Sequence, residues 1–185
     1  LFLIRFARAL PASFIPLHIQ EIRGTVEGAS VVTGLLSAAI GGVAAISGLT
    51  IARLGDRINK LTLISRLLWI SALCALPLFF TRGVWDFGVC YIVVAFFMGG
   101  VEPNLQSYLS ERTDSSSRGM VFGAIALVGG FGWSAAPLLG SVVSIGLGIR
   151  WLFLFYAIGI GISYFFLRIV KNVITDGFQG SSHTR

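Results

Sequence analysis

Among the charged side chains that stand inside stretches otherwise fit for hydrocarbon, three could do chemistry. Arg5 and Arg8 lie in the apolar run Leu1–Ile22, and Glu102 lies in Asp86–Leu109. An ionised group at the centre of a bilayer costs about 2.5 kcal/mol or more, so such residues face a partner or a water-filled cavity and mark a binding or proton pathway. Arg5 and Arg8 are three residues apart and share one helix face. At 1.5 Å per residue Arg5 lies ~5 Å and Arg8 ~10 Å inside the start of the run. Arg5 is therefore expected to snorkel to the headgroups. Arg8 is the stronger cavity candidate, with Glu102 as its partner. Glu102 sits ~10 Å from the end of its own helix by the same rise. It fits equally a substrate- or proton-binding carboxylate and an acid hydrated from the nearby surface. Asn104 and Gln106 follow it as further cavity candidates. His18, near the far end of the first run, reads as an interfacial residue.

Other chemistries lack their parts. Intramembrane serine proteolysis needs a nucleophile in a Gly-x-Ser-Gly turn and a histidine on another helix. The chain has only His18 and His183, and no such turn. No carboxylate pair and no His cluster has metal-ligand spacing. Cys74 and Cys90 lie in apolar runs and read as inert thiols. The sequence thus predicts no catalytic residue, metal or cofactor. Of its 185 residues 55% are hydrophobic and 12% charged, with mean hydropathy +0.86. Soluble domains carry about 25% charged residues. The expected solvent is therefore the lipid bilayer. The net charge of +6 comes from bases scattered at the ends of apolar runs, which argues against nucleic acid as a partner.

Six runs reach the ~20 residues that span a membrane: Leu1–Ile22, Ser30–Arg53, Leu61–Thr81, Asp86–Leu109, Gly119–Ile145 and Trp151–Val170. The expected fold class is an all-α integral membrane protein with six transmembrane helices over residues 1–171. Residues 172–185 read as a polar, disordered tail. Pro11 and Pro16 break the first run, and Gly99, Gly100 and Pro103 break the fourth. The two broken helices carry the polar residues, which predicts a cavity between them. Gly132, Ala136, Gly140, Ser144 and Gly148 repeat at intervals of four, as do Gly34, Ala38 and Gly42; small residues at this spacing let helices pack closely. The third and sixth runs are bulky throughout and are expected to face lipid, leaving four packed helices. Nine Lys and Arg fall on the side of the loop at Asp56 and of the C-terminus, and three on the other. The side richer in bases is the cytoplasm. Trp85 and Trp151 then sit at the outer interface.

Between the second and third runs stands Gly48-Leu-Thr-Ile-Ala-Arg-Leu-Gly-Asp-Arg-Ile-Asn-Lys60. It resembles the motif A loop of the major facilitator superfamily, roughly Gly-x-Leu-Ala-Asp-Arg-x-Gly-Arg-Lys. Ala52 and Asn59 replace the two usual glycines, and Leu61 replaces the last base. Asn59 is expected to keep the left-handed turn. Gly129-x-x-Gly132-x-x-x-x-Pro137-x-x-Gly140 is similar to the Gly/Pro pattern of the family's eleventh helix. The resemblance covers residues 1–171 and is greatest, through Ala12–Glu21 and the loop, to bacterial drug:proton antiporters. It implies the C-terminal six-helix half of a secondary transporter in the inner membrane, with a missing N-terminal half as partner. A small-molecule substrate is implied, with protons as the coupling ion. The family's eighth and eleventh helices, here the second and fifth runs, pack against that other half. Its usual coupling acid and arginine belong to the absent half, and Tyr91 stands where an arginine would repeat. Arg53, Asp56, Arg57, Asn59 and Lys60 form the cytoplasmic loop. Asp56 is read either as a latch on a helix N-terminus of the other half or as a solvated turn. The absence of an initial Met predicts a chain cut upstream. The alternative is an accessory or degenerate half-transporter without transport of its own.

The asymmetry of bases yields a test. In a background lacking Cys74 and Cys90, Asn59→Cys is expected to react with a membrane-impermeant thiol reagent only once cells are opened. Labelling in intact cells would invert the topology.

Overall fold

The computed structural model describes residues 1–180, with side chains described through Lys171. The described chain is built of helices: α1 (Phe2–Ala12), α2 (Ile15–Arg23), α3 (Ala29–Gly55), α4 (Lys60–Ala75), α5 (Val84–Gly99), α6 (Val101–Arg112), α7 (Arg118–Gly146) and α8 (Arg150–Gly180). A 3₁₀ turn, Leu76–Phe80, extends α4. Taking α1 with α2 and α5 with α6, these make six spans long and apolar enough to cross a membrane. The chain is an all-α, multi-pass membrane protein.

The two broken spans follow from backbone chemistry. The first opens at Ser13–Phe14, between Pro11 inside α1 and Pro16 in the first turn of α2. Proline there lacks only a donor that the first helical turn leaves unused. Gly24 then ends α2 in the left-handed region, φ 67°, a backbone conformation that residues with a Cβ rarely adopt. The second break falls at Gly100. A Cβ on Gly99 would lie 2.6 Å from the Ala44 carbonyl oxygen, and one on Gly100 2.6 Å from Ile51 Cγ2. Both glycines therefore let α3 approach the break. Asn104 fixes the approach: its amide donates to the Gly100 carbonyl at 2.7 Å and to the Ile51 carbonyl at 3.4 Å. A Cβ on Gly55 would meet the Asn104 oxygen at 1.7 Å.

The core lies among α1, α2, α4, α5 and α8, with Ile64, Leu68, Phe87, Val94, Phe153 and Ile160 fully buried. This corrects the expected division into outer bulky and inner small-residue helices. The α4 span has 44% of its most apolar stretch buried, against 17% for α7 and 6% for α3. Bulky side chains suit lipid and core alike. On α4 the Ile64 face meets the core while Trp69 and Leu73 face outward. Helices rich in Gly and Ala bury little area within this chain. The two small-residue stripes have different surroundings. Gly132 and Gly140 lie against Phe2, Leu10 and Phe14, with Cβ positions 3.1 Å from the Phe2 oxygen and 2.6 Å from Phe14. Gly34 and Gly42 meet nothing within 4 Å among the described residues.

Two local expectations also change. Asn59 is not left-handed; at φ −60°, ψ 114° it caps α4, accepting from the Thr62 N–H at 3.2 Å. An extended capping residue starts the helix directly, so no left-handed turn is needed. The last helix does not end at Val170 but runs to Gly180. Lys171 to Asp176 contain neither Gly nor Pro to stop it. Residues 181–185 of the expected tail lie outside the described residues.

The close approach at the break is testable. Gly99→Ala is expected to destabilise the purified protein by about 1–3 kcal/mol, the cost of overpacking. Gly161→Ala, with open space around it, should raise stability slightly through helix propensity. Thermal unfolding in detergent distinguishes the two.

Candidate functional site

The charged residues meet where the two broken spans and α7 converge. The break at Gly100 creates a helix start within the fourth span, and Glu102 sits in the first turn of α6. The positive end of the helix dipole favours a carboxylate there. α1 brings Arg5 and Arg8 from the opposite side. Arg5 Nε donates to Glu102 Oε1 at 3.0 Å, and Arg5 Nη2 contacts the same oxygen. Arg8 Nη1 reaches Glu102 Oε2 at 3.4 Å, a long contact. Arg5, Arg8 and Glu102 are 23%, 32% and 26% exposed, so the cluster is half-buried and open on one side.

Arg5 is thus a direct partner of Glu102, whereas depth alone assigns it to the headgroups. The reason lies on α7. A Cβ on Gly129 would stand 2.4 Å from Arg5 Nη1 and 2.7 Å from its Cδ. Only glycine leaves room for the guanidinium to lie across α7 and reach the acid. Gly129 stood in the Gly/Pro pattern of the fifth run, which does not by itself say what approaches it.

A cleft of about 460 Å³ opens over the cluster, with Gly130, Trp133 and Ser134 of α7 on its wall. A second, about 270 Å³, shares Arg8 and Trp133 and continues to Tyr91, Met98 and Tyr156. The two together offer aromatic surface beside a formal balance of two bases to one acid. Trp133 and Tyr156 are lining residues that the sequence did not single out. Of the remaining candidates, Gln106 is exposed and Asn104 is 1% exposed, used in the α3–α6 tie. Neither lines either cleft. Among the described residues no three His, Cys, Asp or Glu side chains gather as a metal ion would require.

A second polar cluster closes the Asp56 loop. Lys60 is 9% exposed at the head of α4. Its ammonium bonds Ser107 Oγ at 2.7 Å, contacts Glu111, and stands 3.6 Å from Asp56 Oδ1. Ser107 and Glu111 share one face of α6 and were not foreseen. Arg53 and Arg57 are exposed.

A family model described as Major Facilitator Superfamily matches residues 1–181. The chain belongs to the major facilitator superfamily. Its relatives include three proteins named "Multidrug resistance protein MdtG". That of Citrobacter koseri is 26% identical over 151 residues, covering 82% of this chain and 37% of the relative. That of Enterobacter lignolyticus is 27% identical over 152 residues, covering 82% and 36%. That of Dickeya zeae is 26% identical over 164 residues, covering 89% and 40%. The chain therefore spans well under half the length of these relatives. No solved structure matches it.

Breaking a half-buried ion pair by removing one partner leaves the other charge less well compensated. Arg5→Met or Glu102→Gln alone is accordingly expected to lower thermal stability more than the two together. The cycle should give a coupling of about 1–3 kcal/mol between residues in contact. Additive losses would show that the pair does not couple.

Proposed function

We propose that this chain is the C-terminal six-helix half of a secondary transporter that exports small molecules across the cell membrane by proton antiport. The observation that carries the reading is the Arg5–Glu102–Arg8 cluster in an open cleft between broken helices. Transporters of this kind place substrate and coupling ions at discontinuous helices between structural repeats. Membership of the superfamily and the printed names of the MdtG relatives support transport as the activity and drugs as a substrate class.

In this reading Arg8, Arg5 and Glu102 face the translocation cavity. Trp133, Tyr91 and Tyr156 supply its aromatic wall. α3 and α7 are the spans with least burial within the chain, and they meet the partner half. The Asp56 loop and the C-terminus lie in the cytoplasm. Lys60 holds the loop to α6, and Asp56, 70% exposed beside Lys60, engages a helix of the other half as the resemblance implies.

Two vesicle measurements test this. With the whole gene product, everted vesicles should accumulate a fluorescent amphipathic drug when energised, and collapse of the proton gradient should abolish it. Glu102→Gln is expected to reduce the rate at least tenfold. Residues 1–185 alone should give no gradient-driven flux, because alternating access needs two repeats. Saturable uptake by the chain alone would overturn its reading as a half.

A further inference from the structure

His18 is the side chain that the fold leaves chemically unfinished. Near the end of its span, it is 0% exposed. Its ring is wedged between Phe87 of α5, 5.0 Å between centroids, and Phe153 of α8, 4.8 Å away. Neither Nδ1 nor Nε2 has a hydrogen-bond partner. A neutral imidazole always keeps one N–H and one acceptor, so this burial leaves both unsatisfied. Three residues along the same helix face, Glu21 Oε2 stands 3.6 Å from Nδ1, beyond bonding distance. Glu21 is 53% exposed. The carboxylate therefore touches water on one side and the imidazole on the other.

We propose that His18 and Glu21 form a proton-binding site at the end of the bundle opposite the Asp56 loop, and that proton uptake there unlatches α2 from the Phe87–Phe153 pair. A proton reaching Glu21 from water adds to Nδ1 and yields an imidazolium whose N–H points at the carboxylate. A charge-assisted bond closes to about 2.7–2.9 Å, so the ring is drawn outward from its slot. Phenylalanine faces can attract the cation, but they cannot hydrate a second N–H left between them. The charged groups around the site are few. Glu21 lies on α2 itself, and Arg150 at the head of α8 acts on the ring from that side. On α5 the nearby acid is Asp86, turned toward Gly83. At the α3 side Arg23 bonds the Gly28 carbonyl at 3.5 Å. α2 is a separate short element, nine residues long, broken from α1 at Ser13–Phe14 and ended by left-handed Gly24. The site rests on the fold alone; only its placement on the outer face rests on the proposed orientation.

The test requires no transport and so fails or succeeds independently of that function. In detergent micelles, ring carbon–proton signals of isotopically labelled histidine are followed from pH 8 to pH 5. The chain has two histidines, and His183→Gln assigns them. Amide exchange over residues 15–23, corrected for the intrinsic rate at each pH, is measured in parallel with α4 as reference. The His18 signal should pass from neutral to charged within this range. Protection of α2 should fall about tenfold with the same midpoint while α4 holds. Glu21→Gln should move both midpoints by about one pH unit in the acid direction, a tenfold change in proton affinity. His18→Phe, which fills the slot, should abolish the response. A His18 signal that never moves, protection that stays constant through the titration, loss of α4 protection at the same midpoint, or a midpoint indifferent to Glu21→Gln would each overturn the proposal.

Discussion

The constraint on which the rest depends is that a charge in hydrocarbon must find a partner. Glu102 is expensive in an apolar helix unless something holds it. Three separate features of the chain serve that purpose. The Gly99–Gly100 break supplies a fresh helix start, whose dipole favours the carboxylate. Arg5 supplies the direct counter-charge and Arg8 a looser one. Gly129 vacates the space that lets Arg5 arrive. Remove any one and the others lose their reason. The arrangement joins α1, α6 and α7 at one point and leaves a cleft of about 460 Å³ above it.

How much of this was legible in the sequence differs by scale. Spans are set by hydrophobic length, and the six predicted runs match the six observed within a few residues until the last, which continues to Gly180. Helix breaks were legible because Pro and Gly act locally. What escaped was anything set by rotation of one helix against another. Depth along α1 gave Arg8 to Glu102 and Arg5 to the headgroups; side-chain room on α7 gives Arg5 the closer contact. Bulk on α4 and α8 was taken as lipid-facing, yet each presents one bulky face to the core and another outward. Asn104 looked like a cavity residue beside Glu102, but two positions along a helix is over half a turn away. Ser107 and Glu111 carry no motif. They matter only because α6 lies beside Lys60.

The two small-residue stripes show the same limit. Both have the spacing that permits close packing. On α7 the glycines contact Phe2 and Phe14, whereas on α3 the equivalent positions meet nothing within 4 Å among the described residues. A repeat of four says that a helix can be approached closely, and the surrounding fold decides by what.

One feature couples the two polar clusters. α6 is a short rod fastened near both ends to the α3–α4 hairpin: Asn104 ties it to the Ile51 carbonyl, and Lys60 ties to Ser107 and Glu111. Glu102 projects from the inner end of that rod. The nine positions from Glu102 to Glu111 span ~13.5 Å of rigid helix. α6 therefore works as a lever arm with the hairpin as its mount. A tilt imposed at the charged loop would carry the helix start that bears the acid with it.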